Sequence, residues 1–226
     1  MSQPAELDWA TEGVPPRHGW QGDRGAARPG RGPQGLAIAL SREAGARGGT
    51  IARLAAHKLD WQVYDQELLE FMAQDATARQ GLTDDLPPAS RAWIETRLAE
   101  LPGDEPFRVV ARLMLELAAQ GGMVVIGRGA GCILPRATTL NVRIIAPLPE
   151  RVAYVGQWMR LPEGQAAAEV RSRDEGRAAF LGTYFQRVPG DVHQYDLLLN
   201  SSTLGEEACA DLIVQAAKAR WAAQEL

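Results

Sequence analysis

Five short apolar runs alternate with longer segments of helical periodicity, and this alternation constrains the fold more than any other feature. Between the runs, apolar residues recur three or four positions apart, which is the spacing of one helix face. Strands that alternate with helices form a mostly parallel sheet with right-handed crossovers. The sequence therefore predicts an α/β fold with a mostly parallel, five-stranded sheet. The predicted strands cover residues 36–40, 61–64, 123–126, 140–146 and 195–199.

The helical segments are bounded by capping residues and glycines. Asp65 is a candidate N-cap for the helix that follows the second strand, and Gly121 ends the helix before the third. Residues 77–89 are polar and contain prolines, and no regular element is predicted there. In the helix at 90–101, one face carries Trp93, Ile94, Leu98 and Leu101. The predicted helices cover residues 50–58, 65–72, 90–101, 106–120, 149–159, 162–187 and 205–223.

The first 34 residues differ from the rest. Residues 13–35 are crowded with glycine, proline and arginine, a composition that buries too little apolar surface to order itself. We expect a flexible tail at 1–34 and one folded domain at 35–226. Trp9 and Trp20 stand out in the tail; chance or docking on the domain is favoured over a partner-binding motif.

Composition excludes several classes of protein. The net charge of -4 gives no basic footprint for nucleic acid. Cys132 and Cys209 are too few and too far apart for a disulfide framework or a zinc site, and they suit a reducing compartment. The histidines have no partners at metal-ligand spacing. No secretory signal and no membrane-spanning run is found, so we expect a cytoplasmic protein without a resident metal site.

A glycine-rich loop follows the first predicted strand. Residues 41–50 hold three glycines and two arginines, whereas an ordinary strand-to-helix turn needs only two to six residues. The backbone amides of such a loop, with a helix N-terminus behind them, can bind an anion. A plain tight turn is the alternative interpretation.

The loop departs from the standard phosphate-binding pattern G-x-x-x-x-G-K-[ST], because it contains no lysine. When the helix starts are matched, Gly48 takes the position of the lysine. Arg42 or Arg47 can supply the missing charge, since arginine also binds phosphate, and the sequence leaves both open. Thr50 or Ser41 can supply a hydroxyl near a magnesium ion.

Several motifs, in this order along the chain, resemble the cytidylate kinase-like family. The loop opens with Ser41, Arg42 and Glu43, and the second strand leads into YDQELL at 64–69. IGRGA at 126–130, IAPLPER at 145–151, DEGR at 174–177 and YDLLLNSS at 195–202 are also similar. The lid motif departs from the family pattern at Gly176, where a basic residue is common. The resemblance implies a three-layer P-loop kinase fold, with a helical acceptor-binding insertion at about 66–120 and a helical lid at about 162–190.

The resemblance also implies roles for particular residues. Arg128, just after the third strand, can grip an acceptor phosphate through two hydrogen bonds, with Gly127 beside it; a surface ion pair is the alternative. Asp65 can bind the acceptor's sugar or a magnesium ion, or it only caps a helix. The loop residues implied to hold the phosphates of ATP are Ser41, Arg42, Gly45, Arg47, Gly48, Gly49 and Thr50.

Three arginines lie in the predicted lid. Arg173 and Arg177 are four residues apart and share a helix face, and Arg171 lies nearby. They can close over the phosphates, exclude water and neutralise charge, or they form a solvated helix with neighbouring carboxylates. Together with Arg128, Arg173 and Arg177 are the candidate catalytic residues, and Arg177 is the preferred one of the pair.

The leading hypothesis is therefore an ATP- and Mg²⁺-dependent nucleoside monophosphate kinase, with CMP as the expected acceptor. A nucleotide-binding pseudokinase that acts as a sensor or partner protein is the second hypothesis, motivated by the missing lysine and by Gly176. A kinase for another small acceptor is the third. We expect nucleotide substrates and no nucleic acid or membrane partner; the apolar helices at 93–117 can line a homodimer interface or cover an acceptor pocket.

Overall fold

The computed structural model describes residues 36–222, to which all structural statements below refer. The predicted tail at 1–34, with Trp9 and Trp20, lies outside the described residues. The described chain forms one five-stranded sheet in the order β2-β3-β1-β4-β5, with every pair of neighbouring strands parallel. The predicted α/β fold is confirmed. The strands are β1 Ala37–Arg42, β2 Gln62–Tyr64, β3 Met123–Ile126, β4 Thr139–Ile145 and β5 Leu197–Asn200.

Helices cover both faces of this sheet. Four of them, α2 to α5, lie between β2 and β3 in the chain, where the helical insertion was expected, and α8 spans the predicted lid region. No helix in residues 36–222 has the length and apolar character needed to cross a bilayer. The helices are α1 Gly48–Leu59, α2 Gln66–Gln74, α3 Ala76–Asp84, α4 Pro88–Glu100, α5 Glu105–Gln120, α6 Ala130–Ile133, α7 Leu148–Met159, α8 Glu163–Phe185 and α9 Ser201–Ala222.

The sheet separates two apolar clusters. Side chains alternate across β1, so that Ile38 and Leu40 pack on the side of α1 and α9, whereas Ala37 and Ala39 face α5 and the insertion. Burial on both faces explains why the strands read as continuous apolar runs. The carboxyl ends of the parallel strands therefore meet at one edge, where ligands bind in open α/β sheets.

Helix α3 was not predicted, because its sequence is polar. Two local contacts explain it. The backbone N–H of Thr77 donates to Oδ1 of Asp75 at 2.9 Å, which caps the first turn. At the other end, Oγ1 of Thr83 donates to Oε1 of the buried Glu116 in α5 at 2.8 Å. Tertiary contacts therefore stabilise a helix that the apolar periodicity did not indicate.

Three further expectations differ in detail. Trp93 is 41% exposed, while Ile94, Leu98 and Leu101 are buried as expected, because adjacent helix residues point about 100° apart. Strand β5 starts two residues later than predicted. Helix α9 starts at Ser201 rather than at 205, with non-helical angles at Gly205.

Candidate active site

A cavity of about 930 Å³ lies at the carboxyl ends of β1, β3 and β4, against helix α8. Nine arginines and five carboxylates line it, so the wall carries a surplus of positive charge. Such a surface suits a ligand with several phosphate groups. The arginines are Arg42, Arg53, Arg97, Arg128, Arg136, Arg143, Arg173, Arg177 and Arg187; the carboxylates are Glu43, Asp65, Glu67, Glu169 and Asp174.

The loop between β1 and α1 is held from outside by α7 and α8. The backbone N–H of Ala44 donates to Oδ1 of Asp174 at 2.8 Å. Arg151 donates from Nη1 to the carbonyl oxygen of Ala44 at 3.1 Å and to Oδ2 of Asp174 at 2.7 Å. One amide of the expected anion nest is therefore already bonded to a carboxylate. The first-turn amides of α1 have no partner within the helix and can still bind an anion.

Arg42 occupies the space beside the position that a lysine usually takes. A Cβ atom added to Gly48 would lie 2.6 Å from Cβ of Arg42 and 2.9 Å from its Cγ. At the other end of the same side chain, Nη1 of Arg42 would lie 2.6 Å from a Cβ atom added to Gly127. The side chain of Arg42 thus runs from the start of α1 to the end of β3, along the cavity wall. Residue 48 is glycine because Arg42 fills that space.

Arg47 points elsewhere. It precedes α1 with a φ of 58°, its guanidinium lies 5.2 Å from the ring centroid of Tyr154, and its Nη1 is 3.6 Å from Glu206. Arg47 and Gly45 border a small separate recess near Ser201 rather than the main cavity. Of the two loop arginines left open by the sequence, only Arg42 lines the main cavity in the described chain.

Lysine from another part of the chain does not fill the gap. The sequence contains two lysines, Lys58 and Lys218. Lys58, in the last turn of α1, bonds to Glu207 at 2.7 Å and to Asp211 at 2.5 Å, and it does not line the cavity. Lys218 lies in α9. Among the described residues, the lysine and arginine side chains that line the cavity are therefore all arginines.

Residues 127–129 form a turn with three consecutive positive φ angles, of 78°, 53° and 67°. The backbone N–H of Gly127 donates to the carbonyl oxygen of Leu40 at 2.9 Å, which ties the turn to β1. A Cβ atom added to Gly129 would lie 2.3 Å from Cε2 of Phe185. Glycine is thus required on both sides of Arg128. The left-handed backbone at an arginine is strained, and such strain is common at functional sites.

Arg128 lies in the cavity wall between the insertion and α8. Its Nη2 forms an ion pair with Glu70 of α2, and its guanidinium lies 5.7 Å from the ring centroid of Phe180 in α8. Burial lowers the pKa of Arg128 below its usual value, although arginine stays charged at physiological pH. Its buried Nε has no hydrogen-bond partner among the described residues. A buried guanidinium with an unused donor is suited to bind an oxyanion.

Asp65 and Gly127 also line the cavity. Oδ1 of Asp65 accepts a hydrogen bond from the backbone N–H of Leu68 at 3.1 Å, so the predicted N-cap is present. Capping uses one carboxylate oxygen and leaves the side chain in the wall. Both sequence interpretations of Asp65, cap and ligand, are compatible with this position.

The lid arginines are held by ion pairs. Nε of Arg173 donates to Glu169 at 2.7 Å, and its guanidinium lies 5.8 Å from the ring centroid of Trp158. Nη1 of Arg177 is 3.4 Å from Oδ1 of Asp174. Both arginines line the cavity, whereas Arg171 is exposed and does not. The partners Glu169 and Asp174 are among the carboxylates expected for a solvated helix, yet both line the cavity.

Of the seven loop candidates, Ser41, Arg42 and Gly49 line the cavity, whereas Gly45, Arg47, Gly48 and Thr50 do not. Sequence reasoning missed Arg143 and Tyr195, which lie together in the wall. A signal for Arg143 was present: Asn141 and Arg143 alternate with apolar residues in β4, which is the pattern of a strand with one polar face.

Comparison with known proteins gives partial sequence matches to curated proteins and matches to solved structures. The chain is 33% identical to a uronate isomerase of Corynebacterium glutamicum over 105 residues. These residues make up 46% of this chain and 20% of that protein. It is 25% identical to a cytidylate kinase of Ignicoccus hospitalis over 104 residues, and these residues make up 46% of this chain and 60% of that protein. The matched segment thus covers one fifth of the uronate isomerase and three fifths of the cytidylate kinase.

An uncharacterized protein from Eubacterium ventriosum has a similar structure, with a TM-score of 0.68 at 19% identity, over 82% of this chain and 99% of that chain. At this identity the likeness concerns the fold alone. The profile of the cytidylate kinase-like family matches residues 37–203, which include the loop, the Gly127–Gly129 turn and α8. The chain therefore belongs to the cytidylate kinase-like family.

Proposed function

We propose that this chain transfers a phosphoryl group from ATP to a nucleoside monophosphate, with CMP as the acceptor. The observation that carries the proposal is the arginine-lined cavity at the strand ends, next to the N-terminus of α1. Membership of the cytidylate kinase-like family supports kinase chemistry on a nucleotide or small molecule. Phosphoryl transfer needs little covalent chemistry from the protein beyond positioning and positive charge, and the cavity offers both.

In the proposed complex, the first-turn amides of α1 and Arg42 bind the phosphates of ATP. Arg128 binds the phosphate of the acceptor, with Gly127 beside it, and Asp65 binds either the acceptor's sugar or a magnesium ion. An oxygen of the acceptor phosphate attacks the terminal phosphorus of ATP, and the bond to the bridging oxygen of ADP breaks. Arg173 and Arg177 on α8 neutralise the charge that spreads over the transferring group. Helix α8 also shields the reaction from water.

The described residues contain no group of three acidic, histidine or cysteine side chains placed to hold a metal ion. Mg²⁺ in kinases takes most of its ligands from phosphates and water, with one or two carboxylates. Asp65 in the cavity wall fits that role. Ser41 fits poorly because its Oγ accepts a hydrogen bond from the cationic Arg143 at 3.1 Å, and Thr50 does not line the cavity. When bound, Mg²⁺ would neutralise phosphate charge.

A second candidate function is nucleotide binding without turnover. It is favoured by the bond between the Ala44 amide and Asp174, which occupies part of the loop, together with the missing lysine. In this alternative the protein acts as a sensor or partner protein. A kinase for another small phosphorylated or hydroxylated acceptor is the third candidate.

A coupled ADP-release assay separates these candidates. It uses ATP and Mg²⁺ with each common nucleoside monophosphate, and a control without acceptor. A rate with CMP above the control supports the proposal, and the ranking of acceptors tests the choice of CMP. If calorimetry shows ATP binding but no nucleoside monophosphate gives ADP, the proposed activity is wrong. An acceptor outside the panel that does give ADP would then indicate the third candidate.

A further inference from the structure

We propose that Arg143, held by Ser41 and Tyr195, forms a second oxyanion subsite in the cavity, separate from Arg128. The subsite takes a phosphate or carboxylate group of a bound substrate. The inference deepens the proposed function, on which its assignment to a kinase substrate rests. The geometric argument for an anion, however, depends only on the side chains around Arg143.

Arg143 is a preorganised and nearly buried cation. Its side chain is only 12% exposed, in the middle of the polar face of β4. Nη1 donates to Oγ of Ser41 at 3.1 Å and lies 3.5 Å from the hydroxyl oxygen of Tyr195. The guanidinium also lies 5.5 Å from the ring centroid of Tyr195. Tyr195 is fixed in turn, because its hydroxyl donates to the carbonyl oxygen of Pro189 at 3.1 Å.

These partners are neutral, and the nearest carboxylate is engaged elsewhere. Nη2 of Arg143 is 3.9 Å from Oε1 of Glu43, which is beyond hydrogen-bond distance. Oε2 of Glu43 accepts from the backbone N–H of Ala146 at 3.1 Å and lies 3.4 Å from Nε of Arg151. Glu43 is therefore closer to Arg151 than to Arg143. Glu43 is therefore a shared and distant counter-ion for Arg143. A nearly buried charge that is only partly neutralised is costly, and a bound anion would lower that cost.

The position separates this group from Arg128. Residue 143 is paired across the sheet with Ser41 of β1, while β3, which leads to Arg128, lies on the other side of β1. Two inter-strand spacings amount to about 10 Å. A single substrate bound to both arginines would therefore need two anionic groups. Alternatively, two substrates would each bind one arginine through one anionic group. With Nη1 engaged by Ser41 and Tyr195, the Nε and Nη2 donors of the planar guanidinium form the fork that matches the two oxygens of a phosphate or carboxylate.

The test follows the guanidinium of Arg143 directly. In ¹⁵N-labelled protein, the Nε–H signal of Arg143 is assigned by its absence in Arg143→Lys, and it is followed while inorganic phosphate or malonate is added. The matched control is the signal of the exposed Arg91 on α4, assigned with Arg91→Lys. We expect a saturable shift for Arg143 and none for Arg91. Equal shifts for the two arginines would overturn the proposal.

An Arg128 variant tests whether this subsite is separate from Arg128, and competition with nucleotides identifies which substrate supplies the anion. Arg128→Gln should change the phosphate affinity seen at Arg143 by less than about twofold, because sites about 10 Å apart are nearly independent. A loss of tenfold or more, on the order of one charge-assisted bond, would mean one shared site and contradict the proposal. Displacement of phosphate by ATP but not by ADP assigns the subsite to the donor, and displacement by CMP assigns it to the acceptor.

Failure of the proposed function has a different signature. If neither ATP nor CMP binds, the kinase proposal loses its support, yet a saturable phosphate shift at Arg143 still establishes the oxyanion subsite. Conversely, kinase turnover with no shift at Arg143 leaves the proposed function intact and removes the subsite.

Discussion

At the scale of single residues, Gly48 and Arg42 distinguish the glycine-rich loop from the standard phosphate-binding pattern. Glycine at 48 leaves room, and Arg42 fills it from the preceding strand. The positive charge thus reaches the cavity from the end of β1 rather than from the start of α1. The two differ chemically, since arginine is a planar fork and lysine a compact point charge.

Replacement of Arg128 by alanine tests its proposed contact with the transferring group. We expect turnover with the acceptor to fall by about a hundredfold or more, the typical loss when one such donor is removed. Steady-state kinetics in the coupled assay measures it, and Arg91→Ala on the exposed face of α4 serves as the control. Unchanged kinetics in a folded Arg128→Ala protein would remove Arg128 from the site.

Gly129 should be intolerant of a side chain. In Gly129→Ala, the positive φ costs about 1–2 kcal/mol, and the new Cβ overlaps the ring of Phe185, which is packed against Phe107. We expect a loss of stability of about 2–4 kcal/mol in all, measured by denaturant unfolding. Gly182→Ala in α8 is the matched control, because nothing lies within 4 Å of its Cβ position; it should gain up to about 1 kcal/mol. Equal stability of the two variants would contradict this packing.

At the scale of elements, α7 and α8 fix the loop from outside. Asp174 of α8 bonds to the Ala44 amide, and Arg151 of α7 bonds to both partners. The helix that carries Arg173 and Arg177 is therefore attached to the glycine-rich loop. Any motion of α8 at this point must break these bonds, which couples its position to the loop.

The helical insertion contains a buried carboxyl group that makes its stability depend on pH. Burial raises the pKa of Glu116, and the hydrogen bond from Thr83 only partly opposes this shift. Because the pKa is higher in the folded state, unfolding becomes easier as pH rises from the ordinary glutamate pKa of about 4.3 through the raised value. Above that window the full cost of the buried charge is present.

Glu116→Gln should therefore raise Tm at pH 7, while the gain over wild type disappears near pH 4, where both side chains are neutral. Thermal unfolding across this pH range measures the difference. Glu175→Gln, at an exposed position of α8, controls for the loss of one negative charge. A Glu116→Gln protein that is less stable than wild type at pH 7 would show that the carboxylate is stabilising instead.

At the scale of the whole molecule, charge is segregated. The chain has a net charge of -4, yet the cavity wall holds nine arginines against five carboxylates. The rest of the chain therefore carries the excess of negative charge, while the cavity wall carries an excess of positive charge. Local charge, rather than net charge, determines which ligands such a protein can take.

Affinity for ATP should accordingly fall as salt is added, whereas affinity for adenosine should stay nearly constant, because only the phosphates interact with the arginines. We expect a decrease of about tenfold or more for ATP between 50 and 500 mM NaCl, since the Debye length shrinks severalfold over such a range. Calorimetric titration of both ligands measures it. An ATP affinity as insensitive to salt as that of adenosine would argue against phosphate binding in this cavity.

The order of elements could be predicted from the sequence because burial on both faces leaves nearly continuous apolar runs in β1 and β3. Helix α3 could not be predicted, because its sequence has no apolar periodicity. Polar contacts stabilise it instead, namely the cap from Asp75 and the hydrogen bond to Glu116. The candidate Arg128 was found because glycines flank it in a strand-end turn. Arg143 was missed because its alternation with Asn141 indicates a polar face of β4 but does not show that this face lines the cavity.

By itself, the sequence determined the α/β class, the glycine loop without lysine, and the similarity in motif order to the cytidylate kinase-like family. These depend on local spacing, which chain connectivity preserves. Only the tertiary structure decided that Arg42 and not Arg47 lines the cavity, that Asp174 binds the loop, and that Arg143 joins Ser41 and Tyr195. Those outcomes depend on the direction of each side chain and on partners more than 50 positions away, and only packing fixes them.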